Sequence, residues 1–224
     1  MSQTTALKPR IKLYHAEVLA TRYLSLISPC LLKGEVGGSI RRRSHEVGDI
    51  EIIVVSKSKM VVMDLFGEEK PLSLLEEFYR KTPSNGIVMG GDRMKKMHFP
   101  FAGTGLEDFY PRGSIYQVDL FITNAFDYGR QLCIRTGSAF YVKVDIAKAW
   151  HDLGWRGTEH GLRRKEQCDL INERVWKIKI GIAQDAIIRP PAFFAERDLY
   201  AFLGKQWKAP EKRSWEEGFN GKKQ

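Results

Sequence analysis

The stretch Gly37-Gly38-Ser39-Ile40-Arg41-Arg42-Arg43, followed after four residues by Gly48-Asp49-Ile50-Glu51-Ile52-Ile53-Val54, decides how this chain is read. Its second half is a dense β-branched run that suits a central strand. Side chains alternate along a strand, so Asp49 and Glu51 share one face about 7 Å apart while Ile50, Ile52 and Val54 face the core. Carboxylates that close raise each other's proton affinity unless a cation sits between them. Ile115-Tyr116-Gln117-Val118-Asp119-Leu120-Phe121 repeats the logic, with Val118, Leu120 and Ile122 on the core face and Asp119 opposite. If the two strands are neighbours, three acids converge.

Three carboxylates can hold two magnesium ions roughly 3.5–4 Å apart, the arrangement used in phosphoryl transfer. The Gly38-Ser39 turn lets a phosphate approach backbone N–H groups, and Ser39 and Arg42 add a hydroxyl and a charged fork. An acid pair or a Gly-Ser turn is commonplace on a solvated surface. A glycine turn, a basic loop, an acid pair opening an apolar strand and a third acid on a later strand together point to chemistry.

Outward from this centre, residues 11–28 carry apolar positions at helical spacing, with Pro29 as the stop. Pro71 opens a second helix with Leu72, Leu75 and Phe78 on one stripe, closed by the turn cluster Thr82 to Gly86. Residues 87–101 and 114–122 read as paired strands, and Ser138 and Gly154 as the cap and stop of a later helix. Residues 156–224, with basic clusters Arg163-Arg164-Lys165 and Lys177 to Lys179 and a helix near Ala195 to Leu203, read as a second, smaller lobe. The fold class is α/β (α+β), a mixed sheet with helices.

The 224 residues carry 36 Lys plus Arg against 27 Asp plus Glu, a net charge of +9, which raises the prior for an anionic partner such as nucleic acid. With 43% hydrophobic residues the chain is neither disordered nor a disulfide miniprotein. Cys30, Cys133 and Cys168 are scattered and read as reduced thiols. Without a signal region or an apolar span, the expected place is the cytosol, with no membrane partner.

The Gly-Ser-x-x-Arg…Gly-Asp-x-Glu pattern resembles the signature of the DNA polymerase beta-like (family X) nucleotidyltransferases. Arg135-Thr136-Gly137-Ser138 is similar to that family's turn beside the nucleotide sugar, and His160-Gly161-Leu162 to its Tyr-Gly-Leu. Asp198-Leu199-Tyr200 and Trp207-Lys208-Ala209-Pro210-Glu211-Lys212-Arg213 look like its closing thumb helix and Pro-Glu-x-Arg tail. The resemblance spans roughly residues 8–215 and is strongest to short phage and bacterial forms.

The resemblance implies a palm with an N-terminal helix over residues 1–135 and a thumb-like lobe over 136–224. It implies that Asp49, Glu51 and Asp119 are catalytic and bind two Mg2+ ions, with Mn2+ as a substitute. It places Gly38, Ser39, Arg42, Gly48, Arg135, Thr136, Gly137 and Ser138 at the nucleotide and leaves Arg163, Arg164 and Lys165 for nucleic acid. The implied partners are a nucleoside triphosphate and a DNA primer–template, or RNA, acting as a monomer in DNA synthesis or repair. The 37 residues before Gly38 are too few for the family's lyase domain. Ile134 and Arg135 replace an aromatic pair near the sugar, which leaves deoxyribose selection open, and Ala139 and Val142 replace polar base contacts, so base checking is expected to be loose. The alternatives are a template-independent transferase acting on RNA, protein or a small molecule, and an inactive nucleic-acid-binding module.

Overall fold

The computed structural model describes residues 7–62, 69–82, 86–172 and 175–214. It has an α+β fold built on a mixed five-stranded sheet. The elements before the acids are β1 (Ile11–Lys12), α1 (Leu13–Ile27), β2 (Leu31–Val36), the single turn α2 (Gly38–Arg41), β3 (Glu46–Val47) and β4 (Ile50–Ser56). Then come β5 (Ser58–Val62), β6 (Glu69–Ser73), α3 (Leu74–Lys81), β7 (Ile87–Gly90), β8 (Met94–Pro100), β9 (Ile115–Thr123) and α4 (Tyr128–Thr136). The spatial order of the sheet is β2-β4-β9-β8-β7, with β4 and β9 parallel and the other neighbours antiparallel.

β4 is apolar on both faces because both are covered. Ile50, Ile52 and Val54 join Val118, Leu120 and Met97 under α1 and α3, in a core completed by Leu19, Tyr23, Ile27, Leu75 and Tyr79. Ile53, Val55 and Phe121 on the other face are covered by Tyr128 and Leu132 of α4. Burial on two sides explains why the strand reads as a continuous β-branched run.

The remainder forms α5 (Ala139–Tyr141), a π-helical stretch (Val142–Ala147) and α6 (Lys148–Asp152), then the hairpins β10 (Trp155–Thr158) with β11 (Gly161–Arg164) and β12 (Cys168–Ile171) with β13 (Val175–Ile178), and finally α7 (Glu196–Phe202). It has a core of its own, centred on Tyr141, Trp150, Trp155, Phe193 and Tyr200, which begins at Cys133 on α4. Ser138 caps α5 by accepting from the Tyr141 N–H, and Gly154 (φ +78°) follows α6, as their residue types anticipated.

Several boundaries differ from the sequence reading. Pro71 lies in β6, paired with Met60, and the helix starts at Leu74 because the Ser73 hydroxyl accepts from the Glu76 N–H. Residues 87–101 hold two strands of one hairpin, β7 and β8, and β8 is the partner of β9. The first helix starts at Leu13, since Ile11 and Lys12 pair with Val47 and Glu46. Pro83, Ser84 and Asn85 of the expected turn lie outside the described residues. Among the described residues no helix is long and apolar enough to cross a membrane.

Candidate active site

The parallel register sets Glu51 directly opposite Asp119, and Asp49 precedes the first residue of β4. All three sequence-nominated acids therefore meet at one edge of the sheet, on the face that α4 covers further along the strands. Ile53 and Phe121, one step deeper, are buried by α4, and the helix runs out at Thr136 beside the acids. The glycine turn closes the same corner. The Gly37 N–H donates to the Glu51 carbonyl at 2.8 Å, and Gly38 has φ +59°. A Cβ on Gly38 would lie 2.1 Å from Glu51 Oε2, so backbone conformation and space both demand glycine here. Gly48 admits a basic side chain, because a Cβ there would lie 2.8 Å from Arg10 Nη1.

The electrostatics of this corner are those of crowded carboxylates. Burial, then the Asp49 charge, push Glu51 up from 4.5 to about 7, with Asp119 adding to the rise against the opposing pull of Arg135 and Arg42. Burial also raises Asp119, with Asp49 adding to it, against a Gln117 hydrogen bond and the Lys96 and Lys8 charges. Lys96 is the register partner of Asp119 on β8. A relay ends on the same carboxylate: Lys8 Nζ donates to Gln117 Oε1 at 2.8 Å, and Gln117 Nε2 donates to Asp119 Oδ1 at 2.8 Å.

Two arginines face the acids. The Arg135 guanidinium stacks 3.9 Å from the Phe121 ring centroid, and Arg42 Nη1 donates to the Thr136 carbonyl at 2.6 Å. Burial lowers the pKa of both, and the nearby Glu51 carboxylate opposes that in each case. Among the described residues the buried Nε of each finds no acceptor. Two guanidinium groups with unpaired buried Nε–H donors therefore lie beside the acids. No protein-family model and no curated protein matches the chain.

Not every nominated residue points to this corner. Ser39 is half-buried on the glycine turn. The Thr136 hydroxyl accepts from Arg41 Nη1 at 2.8 Å, the Ser138 hydroxyl caps α5, and Gly137 packs so tightly that a Cβ would lie 2.7 Å from Tyr141 Cδ1. These three shape the turn, and the Thr136 and Ser138 hydroxyls are engaged inside the protein. The Arg163-Arg164-Lys165 run is no single basic face: Arg163 is buried, while Arg164 lies over the Trp155 ring and donates to the Leu153 carbonyl. Strand alternation along β11 sends neighbouring side chains to opposite sides. Lys8, Arg10, Lys96 and Gln117 belong to the site but were not nominated. Lys8 and Arg10 precede the first helix in sequence, with nothing local to bring them back to β9 and Gly48.

The donor set suits a hard divalent cation, since it offers carboxylate oxygens whose mutual repulsion a cation relieves. Among the described residues no three His, Cys, Asp or Glu side chains close into a cage. Magnesium needs none, because it keeps waters and is held by one or two carboxylates together with substrate phosphates.

Glu51 makes this corner costly. Its folded carboxyl holds a proton more tightly than in the unfolded chain, so its stabilising share is complete below about 4.5 and is lost as pH rises through about 7. Carried to pH 8 the penalty is at most about 3 kcal/mol. Glu51→Gln in chelator is expected to raise Tm at pH 8 by several degrees, at about 2–4 °C per kcal/mol, and to change it little at pH 5. Thermal unfolding at both pH values checks this, and a Glu51→Gln protein no more stable than wild type at pH 8 would contradict the electrostatic account.

Proposed function

We propose that the protein is a nucleotidyltransferase that joins a nucleoside monophosphate from its triphosphate to a 3′-hydroxyl of DNA. The observation that carries the reading is the pairing of Glu51 with Asp119 on parallel strands, with Asp49 and the Gly37-Gly38 turn at the same corner. The Gly-Ser-x-x-Arg…Gly-Asp-x-Glu resemblance to family X polymerases supports it and supplies the acceptor.

Asp49, Glu51 and Asp119 would hold two magnesium or manganese ions, which supply positive charge to the reacting phosphoryl group when bound. Asp119 takes the proton of the 3′-hydroxyl, and burial, by raising its pKa, makes it a stronger base than an ordinary aspartate. The hydroxyl oxygen bonds to the α-phosphorus, the bond from that phosphorus to the bridging oxygen breaks, and pyrophosphate leaves with that electron pair. Gln117 holds Asp119 in place, with Lys8 behind it. Arg42 and Arg135, whose charges act on Glu51, supply positive charge beside the triphosphate.

A cleft of about 820 Å³ opens from Arg135, with Phe121, Ile134, Val142 and Trp150 in its wall. Apolar side chains at Ile134 and Val142 offer no hydrogen bond to a base edge, which favours loose templating or untemplated tailing as the second reading. Incorporation of each labelled dNTP and rNTP onto gapped, primed and single-stranded DNA, and onto RNA, separates the two. Magnesium-dependent extension of primed DNA is the expected result. Extension of single strands alone supports tailing, and no incorporation on any substrate overturns the assignment.

A further inference from the structure

On the far side of that cleft is a second cavity, of about 470 Å³, between the β9–α4 connection, β11 and the segment 189–193. The cavity and the cleft share Arg93, Asn124, Asp127 and His160. Its wall carries three guanidinium groups, Arg93, Arg163 and Arg189, and Asp127 is the one carboxylate among the lining residues.

That carboxylate is already spent. Arg130 Nε and Nη2 grip both Asp127 oxygens at 2.7 and 2.6 Å. Among the described residues Arg93 Nη2 meets only the His160 ring nitrogen, at 2.7 Å. Arg189 is exposed and has no hydrogen bond or ion pair among the described residues. Arg163 is only 8% exposed, its Nη1 donates to the carbonyl of its own neighbour Leu162 at 2.6 Å, and its buried Nε has no acceptor. Burial and then the Arg189 charge lower the Arg163 pKa, so the protein holds these like charges together at a cost. Three guanidinium groups thus share one carboxylate, Asp127, which Arg130 already grips, and one of the three is buried with its Nε short of an acceptor, a lining suited to an anion.

We propose that this cavity binds a phosphate monoester, presented at the end of a nucleic-acid strand that runs in the adjoining cleft. A monoester carries close to two negative charges at neutral pH and three strong acceptor oxygens, against the single charge of a strand-internal diester. It therefore matches three guanidinium groups around one engaged carboxylate better. The anion site stands on its own geometry, while the strand that delivers the phosphate rests on the nucleotidyltransferase reading.

The test measures binding of one oligonucleotide sequence to the full chain, by fluorescence anisotropy, with a 5′-phosphate, with a 3′-phosphate, or with hydroxyls at both ends. Inorganic phosphate serves as competitor. At least one phosphorylated form is expected to bind about tenfold more tightly than the hydroxyl form, with inorganic phosphate erasing the difference. Arg93→Ala combined with Arg189→Ala removes two exposed groups and should abolish the preference and flatten the salt dependence. Arg163→Lys keeps the charge but loses the fork, and should weaken the preference while a thermal scan reports an intact fold. Binding is read without any incorporation, so a failed transferase reading and a failed phosphate site give different results. Equal affinity for all three oligonucleotides without displacement by phosphate overturns the proposal, as does an unchanged preference in the Arg93→Ala, Arg189→Ala protein. Phosphate binding without any strand preference keeps the anion site and overturns the strand.

Discussion

Asp119→Asn is expected to lower nucleotide incorporation by about a thousandfold or more while leaving the protein folded. A positioned general base alone contributes about 10²–10⁴-fold, and the same oxygens serve the proposed cations. The fold should survive for a stated reason. Burial already disfavours charge on Asp119, so neutralising it removes a penalty, and the Asn oxygen still accepts from Gln117 Nε2. Asp49→Asn should behave alike, since its charge raises both Glu51 and Asp119. The measurement is single-turnover extension of a labelled primer alongside a thermal scan. Full extension by either variant would remove the acids from the chemistry.

The second large effect concerns how the two cores are joined. Glu196 at the start of α7 is 5% exposed and takes two guanidinium groups at once: Arg41 from the glycine turn, at 2.7 and 2.9 Å, and the fully buried Arg213, which also donates to the Lys208 carbonyl. Burial raises the Glu196 pKa, but the Arg213 and Arg41 hydrogen bonds outweigh it and hold the carboxyl below its ordinary range. Glu196→Ala strands two positive charges side by side, that of Arg213 fully buried, which costs about 3–5 kcal/mol. At about 2–4 °C per kcal/mol, Tm should fall by about 10 °C. Because the folded pKa is depressed, wild type keeps this contribution above about pH 4.5 and loses it as pH drops further, so the gap between wild type and variant should close in acid. A Tm loss of under about 2 °C at pH 7 would mean that the triad does not hold the joint.

The acid corner was legible in the sequence because strand alternation and β-branched runs act over a few residues. Asp49, Glu51 and Asp119 follow from a period of two, and the parallel pairing of β4 with β9 then placed them together. Pro71 was misplaced because a local rule about helix starts competed with a hairpin to Met60 and lost to the Ser73 cap. The Arg163 to Lys165 run does not form one face, because counting charge ignores which side of a strand each residue faces, and of the three Arg163 alone lines the second cavity. Thr136 and Ser138 lay at the expected turn, yet their hydroxyls went to Arg41 and to α5. Lys8 and Glu196 act through contacts spanning many residues, and no local pattern announces these, whereas Gln117 reaches Asp119 two residues along the same strand.

The Glu196 joint also bears on how the protein is made. Arg41 and Glu196 are 155 residues apart, and Glu196 needs Arg213 a further 17 residues on. A ribosome has therefore exposed the sheet and its acid corner well before the clasp that braces the glycine turn can form. During that interval Arg41 lacks its main partner and the corner is looser than in the finished protein. Slow translation between residues 41 and 213 would prolong that exposed state, which is when a chaperone has most to offer.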